Sequence, residues 1–210
     1  GWYKMVQNPY AKEPKTYFQI DNLGIQSTME RIEIFSVPLI KSEVDLSIFK
    51  MYPAPLKETF MSKTKTNLLS QDENKYPRES INYLNIKLRE MLAEVLVCFG
   101  IKTFVFNVDT IWMNSYTDMD WQESHVHSKA QFSFNIYYNT PQSNTVFEHP
   151  GKTGILLSSS DQWFKHEFEP TPRLKKGDII LFPSWLSHYV RPNSDGETIS
   201  GNILIVDIKR

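Results

Sequence analysis

The 210-residue chain predicts a mainly β fold, a sandwich or barrel preceded by short helices. Three observations carry that expectation. From Ile101 to the C-terminus, eight short segments with strand texture follow one another with turn residues between them: IKTFVFNVDTIWMNSYT, QFSFNIYYNT, NTVFEHP, GILLSSS, QWFKHEF, GDIILFPS, SHYVRP and TISGNILIVDI. No helical period runs through them, and evenly spaced short strands belong to closed or stacked antiparallel sheets. One strongly periodic helix stands before them, with the remaining residues mixed in character.

The elements follow in order. Residues 1–28 are polar and interrupted at Pro9 and Pro14, and read as an N-terminal arm; residues 29–210 read as one domain. RIEIFSVPLI (31–40) alternates, and Pro38 restricts it to a sheet edge or strand end. Residues 41–79 carry Pro53, Pro55 and Pro77, so helices there should be short. Ser80 can cap a helix running to Phe99, in which Ile81, Leu84, Leu88, Leu92 and Val95 form one apolar face. Gly100 follows where a left-handed C-terminal residue belongs. This helix is expected to pack on a sheet, with Cys98 at its buried end as a core residue.

Composition narrows the function classes. Apolar residues make up 40 % of the chain and the net charge is −1, so no basic footprint for nucleic acid is visible and none is expected as a partner. The apolar runs are too short to span a bilayer, and the first residues lack the apolar core of a secretory leader. A single cysteine fits a reducing compartment, and the expected location is the cytoplasm. An exposed strand edge leaves a homodimer possible.

The chemistry is concentrated in the histidines. In a strand, residues two apart share a face, so His125 and His127 project side by side. His188 follows the buried-strand segment 179–182 and the break at Pro183. A strand bearing His188 can lie beside the strand bearing the pair. Two ligands close in sequence and one distant is a usual layout for a mononuclear metal that keeps open positions, and imidazole suits iron, copper, nickel and zinc alike. Tyr137 and Tyr138 alternate, so one faces inward. Asn135 shares a face with Tyr137, Asn202 with Ser200, and Trp112 with Asn114. Trp121 and Trp185 can wall a pocket or merely pack. His149 reads as a turn or rim residue, and His166, in an alternating strand, as structural.

GDIILFPSWLSHYV resembles the G-D-x-x-x-F-P…H-x-V segment of the 2-oxoglutarate/Fe(II) oxygenase superfamily, and is most similar to its small phage-encoded and bacterial members. HVHSKAQFSFNIYYNTP, NTVFEHP and RPN…TISGNI resemble further segments of that group in the same order. The resemblance covers residues 101–210, and 31–100 loosely. It implies a double-stranded β-helix of jelly-roll or cupin type, with His125, His127 and His188 as both metal ligands and catalytic centre. It also implies Fe(II) and 2-oxoglutarate as cofactors, and hydroxylation of a small molecule or a side chain. Tyr137, Asn135, Arg191, Thr198, Ser200 and Asn202 are the candidates for holding the co-substrate.

Two departures stand out. His127 occupies the position of the family's usual carboxylate, with Glu123 as a substitute acid. Thr198 occupies the position of the arginine that grips the far carboxylate of 2-oxoglutarate, leaving Arg191 and Lys129 as alternative cations. These departures keep open a three-histidine iron dioxygenase that does not use 2-oxoglutarate, and a catalytically silent binding module. A three-histidine zinc hydrolase ranks below them, because no general base is evident.

Overall fold

In a computed structural model of the chain, the structure describes residues 37–59, 62–141, 143–158 and 167–210. The arm expected at 1–28, the first part of the 31–40 strand, and most of the QWFKHEF strand with His166 lie outside the described residues.

The strands are β1 (Ile40–Glu43), β2 (Lys57–Glu58), β3 (Lys65–Thr66), β4 (Thr103–His125), β5 (Phe132–Asn139), β6 (Thr145–Phe147), β7 (Asp178–Pro183) and β8 (His188–Lys209). The helices are α1 (Arg78–Leu96), extended by a 3-10 turn to Phe99, and α2 (Lys152–Leu157). The hydrogen-bonded order is β1-β7-β5-β8-β4-β3-β2, with β6 paired separately to β8. Two strands organise everything else. β4 and β8 run antiparallel along nearly their whole lengths, from Thr103 opposite Lys209 to His125 opposite His188.

These long strands serve two walls. The C-terminal part of β8 carries β5 on its other side, in register from Phe132–Ile203 to Tyr137–Thr198, and β5 carries β7 and then β1. The N-terminal end of β8 pairs instead with β6, from Thr145–Val190 to Phe147–His188. Between the two regions the β4–β8 register slips near Tyr116–Asp120, Gln122 and His125. Met119 lies at φ 64 and Gly196 at φ 113, so both strands break their pleat there. This is the double-stranded β-helix that the resemblance implies, with the expected SHYVRP and TISGNILIVDI strands fused into β8 and the IKTFVFNVDTIWMNSYT strand of β4 running on to His125.

Alternation assigns the faces. On the outer face of the larger wall, Met113, Phe134, Ile136, Ile179, Leu181, Ile199 and Ile203 are buried against Leu84, Leu88, Met91, Leu92, Val95 and Leu96 of α1. Each fully buried aliphatic or aromatic side chain contributes about 1.5–3 kcal/mol, so α1 and the sheet stabilise one another. The inner face holds a smaller apolar cluster of Tyr137, Phe147, Leu174, Ile180, Phe182 and Leu186. Asp178 starts β7 fully buried. It is held by Lys41 Nζ at 2.9 Å and by the Lys175 amide at 2.9 Å, so the aspartate of the GD turn is structural.

Several expectations need correction. The helix begins at Arg78 behind Pro77, and Ser80 does not cap it. The Ser80 hydroxyl lies inside the first turn, donating to the Ile48 carbonyl and accepting from the Lys50 amide, which ties α1 to the preceding loop. Cys98 is exposed, because the last turn of the helix runs past the sheet. GILLSSS is not a strand. The Gly151 amide donates to His149 Nδ1 and the Lys152 amide to the His149 carbonyl, which bends the chain into α2, and Leu157 stays 82 % exposed. No helix among the described residues is long and apolar enough to cross a membrane.

Gly201 sits in β8 between β4 and β5, where an added Cβ would lie 2.4 Å from the Phe134 ring and 2.8 Å from the Thr110 carbonyl. Gly201→Ala is expected to lower unfolding stability by about 1–3 kcal/mol, as overpacking does. Gly154→Ala in α2 meets nothing within 4 Å and should leave stability unchanged or raise it by up to about 1 kcal/mol. Urea midpoints of the two variants check both statements.

Candidate metal centre and cleft

The structure brings His125, His127 and His188 together. One ring nitrogen of each lies within 4.8 Å of those of the other two. Ring centroids are 4.3 Å apart for His125–His188, 5.1 Å for His127–His188 and 5.4 Å for His125–His127. His125 ends β4 and His188 begins β8, directly opposite in register. His127 lies beyond the strand end. Its amide donates to the Ser184 carbonyl at 2.9 Å, which fixes it beside the loop that leads into β8.

Hydrogen bonds decide the tautomer of every ring. His125 Nδ1 faces the Glu123 carbonyl at 2.8 Å, His188 Nδ1 the Leu186 carbonyl at 2.9 Å, and His127 Nδ1 the Asn202 Oδ1 at 2.8 Å. Those oxygens can only accept, so each Nδ1 carries the hydrogen and donates. Each Nε2 is then left with an in-plane lone pair. Ser133 Oγ lies 2.8 Å from His127 Nδ1, 3.0 Å from Asn202 Oδ1 and 2.7 Å from Ser184 Oγ, and so braces that ring.

Burial keeps the rings neutral. Desolvation, reinforced by the neighbouring His125, pushes His188 down to about 3. Burial pushes His127 down to about 4, against an opposing hydrogen bond to Asn202. His125 is lowered by burial as well. Three neutral imidazoles, all with the hydrogen on the far nitrogen, cannot bond one another through their near nitrogens. Their converging lone pairs can be taken up by a divalent cation, and one of borderline softness suits an imidazole set. The donor set therefore fits Fe(II), which these three nitrogens would hold.

The three histidines help to line a cleft. Its floor is the inner face of the larger wall. β4 supplies Trp112, Asn114 and Tyr116, β5 supplies Asn135 and Tyr137, and β8 supplies Thr198 and Ser200. The segment before β6 and its first residue add Ser143, Asn144 and Thr145, and Thr140, Gln122, Val190 and Asp195 complete the lining. Internal bonds organise these hydroxyls. Tyr137 Oη donates to Thr145 Oγ1 at 3.0 Å, Ser143 Oγ donates to Thr145 Oγ1 at 2.9 Å, and Tyr116 Oη donates to Gln122 Oε1 at 2.9 Å. Burial raises the phenols of Tyr116 and Tyr137, so both stay protonated.

Other candidates fall elsewhere. Arg191 points away from the cleft. It bonds Glu169 at 3.0 Å and lies near Tyr189, because the strand alternates and its neighbour Val190 faces inward. Lys129 is exposed in the turn after the histidine pair, at φ 66. Glu123 contributes its backbone carbonyl to His125, while its side chain lines a separate surface hollow with Trp121. Asn202 serves His127 and does not line the cleft. Tyr138 packs toward α1 on the outer face. Trp121 and Trp185 are 38 % and 58 % exposed, and neither lines the cleft. His149 is a turn residue, held by the Gly151 amide.

Sequence reasoning missed Ser133, Tyr116 and Thr145. The first two were within reach of the alternation already used: Ser133 is two residues before Asn135, and Tyr116 two after Asn114. Thr145 and Ser143 enter from a segment with no pattern of its own. Glu148 was also missed. Its carboxylate accepts hydrogen bonds from Ser124 and Ser187, whose hydroxyls lie 2.8 Å apart. That trio ties the residue before His125 to the residue before His188.

Residues 110–200 match the family described as "Putative 2OG-Fe(II) oxygenase". No curated protein matches the chain. Solved structures to which it is similar include an oxidoreductase of the 2OG-Fe(II) oxygenase family from Burkholderia pseudomallei, at 12 % identity over 71 % of each chain with a TM-score of 0.44. Another is a prolyl-4-hydroxylase of Pseudomonas putida, at 13 % identity over 82 % of this chain and 92 % of that one, TM-score 0.44. A third is HygX of Streptomyces hygroscopicus with nickel and 2-oxoglutarate bound, at 11 % identity over 75 % and 74 %, TM-score 0.41. The family match bears out the resemblance read from the sequence. With it stands the reading of the chain as a dioxygenase with Fe(II) and 2-oxoglutarate as cofactors.

The depressed histidines make the metal-free protein sensitive to acid. Their folded values lie below the ordinary 6.5, so on acidification the unfolded chain takes up protons first. Stability is complete above about pH 6.5 and falls as pH drops toward the folded values, by up to about 1.4 kcal/mol per pH unit for each histidine. Urea unfolding of metal-free protein between pH 6.5 and 4.5 should show this slope, and His188→Asn should reduce it. A flat profile would mean that the rings titrate in the folded state as they do in the unfolded chain.

Proposed function

We propose that His125, His127 and His188 hold one Fe(II) through their Nε2 atoms, and that the chain couples oxidation of a 2-oxo acid to hydroxylation of a substrate at the cleft. The observation that carries this reading is the shared tautomer: three imidazoles, that of His188 buried and the other two half-buried, each locked by a carbonyl or amide oxygen on the far side, with their free lone pairs converging. When bound, the iron supplies oxygen activation through open coordination positions.

The chain's own residues do the rest. The Glu123 and Leu186 carbonyls and the Asn202 amide orient the rings and raise their basicity as ligands. Phe147 and Phe182 pack against His188, with centroids at 5.7 and 4.9 Å, and keep water from that side. The hydroxyl- and amide-lined floor receives the co-substrate by hydrogen bonding. A small molecule or an exposed side chain enters from the mouth, where Asp195 is exposed.

A second reading has one observation in its favour. Among the described residues no lysine or arginine lines the cleft, which suits a three-histidine dioxygenase that works without 2-oxoglutarate. The two readings separate in one assay. Fe(II)-loaded protein incubated with oxygen and 2-oxoglutarate is expected to release succinate, and His188→Ala is expected to abolish both iron retention and succinate. Iron at unit stoichiometry with no succinate formed would decide for the second reading.

The bracing of His127 gives a separate prediction. Asn202→Ala and Ser133→Ala should weaken metal affinity roughly 10–100-fold, as loss of a partner behind a ligand does. Competition with a coloured chelator measures this, and unchanged affinity would show that His127 is not a ligand.

A further inference from the structure

Strand register sorts the cleft floor into layers. Ser133 and Asn202 are paired in the layer beneath His127. Asn135 pairs with Ser200, which pairs with Trp112, in the next layer. Tyr137 pairs with Thr198, which pairs with Asn114, in the layer beyond. Successive inward layers are two residues apart, or about 6.6 Å. A 2-oxo acid chelated at the histidines and lying along this floor would place its far end among Asn135, Ser200, Tyr137 and Thr198.

Three features of that region bear on what it accepts. Asn135 is 8 % exposed, lines the cleft, and its Oδ1 has no hydrogen-bond partner. A buried acceptor left unpaired costs about 1–3 kcal/mol, and a ligand that donates a hydrogen bond would recover it. The side chains around it are neutral, since burial holds both tyrosines protonated. Among the described lining residues the only formal charge is the negative Asp195. A second carboxylate placed here would lose its hydration, meet an acceptor oxygen and find no cation, and burying an unpaired charge is strongly unfavourable.

We propose that this chain selects its 2-oxo acid by neutral hydrogen bonding, so that 2-oxo acids with an uncharged far end, above all one bearing a hydrogen-bond donor, compete with 2-oxoglutarate on equal or better terms. The proposal rests on the reading of the histidines as a metal centre and of the cleft as the co-substrate site. It assigns Asn135 as the residue that recognises the far end, and Thr198 as the position where a positive charge would reverse the preference.

The test is calorimetric titration of full-length protein loaded with Ni(II), which does not turn over. The ligands are 2-oxoglutarate, 2-oxopentanoate and 4-hydroxy-2-oxobutyrate. The expected result is that 2-oxopentanoate binds within about threefold of 2-oxoglutarate and that the hydroxyl-ended acid binds tightest. Raising the salt from low to high should change the affinity for 2-oxoglutarate less than twofold. Thr198→Lys should tighten 2-oxoglutarate at least tenfold without tightening 2-oxopentanoate; should that variant not fold, the wild-type comparison decides alone. A preference of thirtyfold or more for 2-oxoglutarate in the wild type would overturn the proposal and leave the metal and co-substrate reading intact. Ni(II) bound at unit stoichiometry with no binding of any 2-oxo acid would overturn both.

Discussion

The antiparallel pairing of β4 with β8 is the constraint on which the site depends. It runs from one end of the larger wall to the other end of the smaller one, and it terminates with His125 facing His188. Two imidazoles so placed are fixed by backbone hydrogen bonds rather than by flexible side-chain contacts. The third is added locally: His127 leaves the strand but is returned to the same point by its amide bond to Ser184 and by the Ser133–Asn202 brace. The trio of Ser124, Ser187 and Glu148 reinforces this end of the pairing, because the two serines immediately precede the two opposed histidines.

The same pairing explains why the barrel interior is polar where most interiors are apolar. The larger wall buries its aliphatic residues outward, against α1. Its inner face is thereby free to carry hydroxyls and amides, several of them bonded to one another. The informative feature of a folded interior is the buried polar group. Here such groups lie in register on three adjacent strands, and the chemistry of the cleft follows from their being neutral.

Much of this was legible in the sequence. The helical face of Leu84, Leu88, Leu92 and Val95, the strand texture after Ile101 and the period-two relations among Asn135, Tyr137, Thr198 and Ser200 are consequences of local geometry, and local geometry is written in spacing. What was illegible depended on breaks in that geometry. Gln122 and His125 are three residues apart yet both face the cleft, because the register slips between them. GILLSSS has strand composition, but a two-residue turn closed by the His149 ring starts a helix instead. Arg191 was the nearest cation by sequence, and strand parity alone turns it outward to Glu169.

The most direct test of the central claim is the X-ray absorption spectrum of the Fe(II)-loaded protein. The account predicts the scattering signature of three imidazoles on a single iron, reduced to two when His125 is replaced by alanine. A shell dominated by carboxylate or water oxygen, with one imidazole or none, would contradict it.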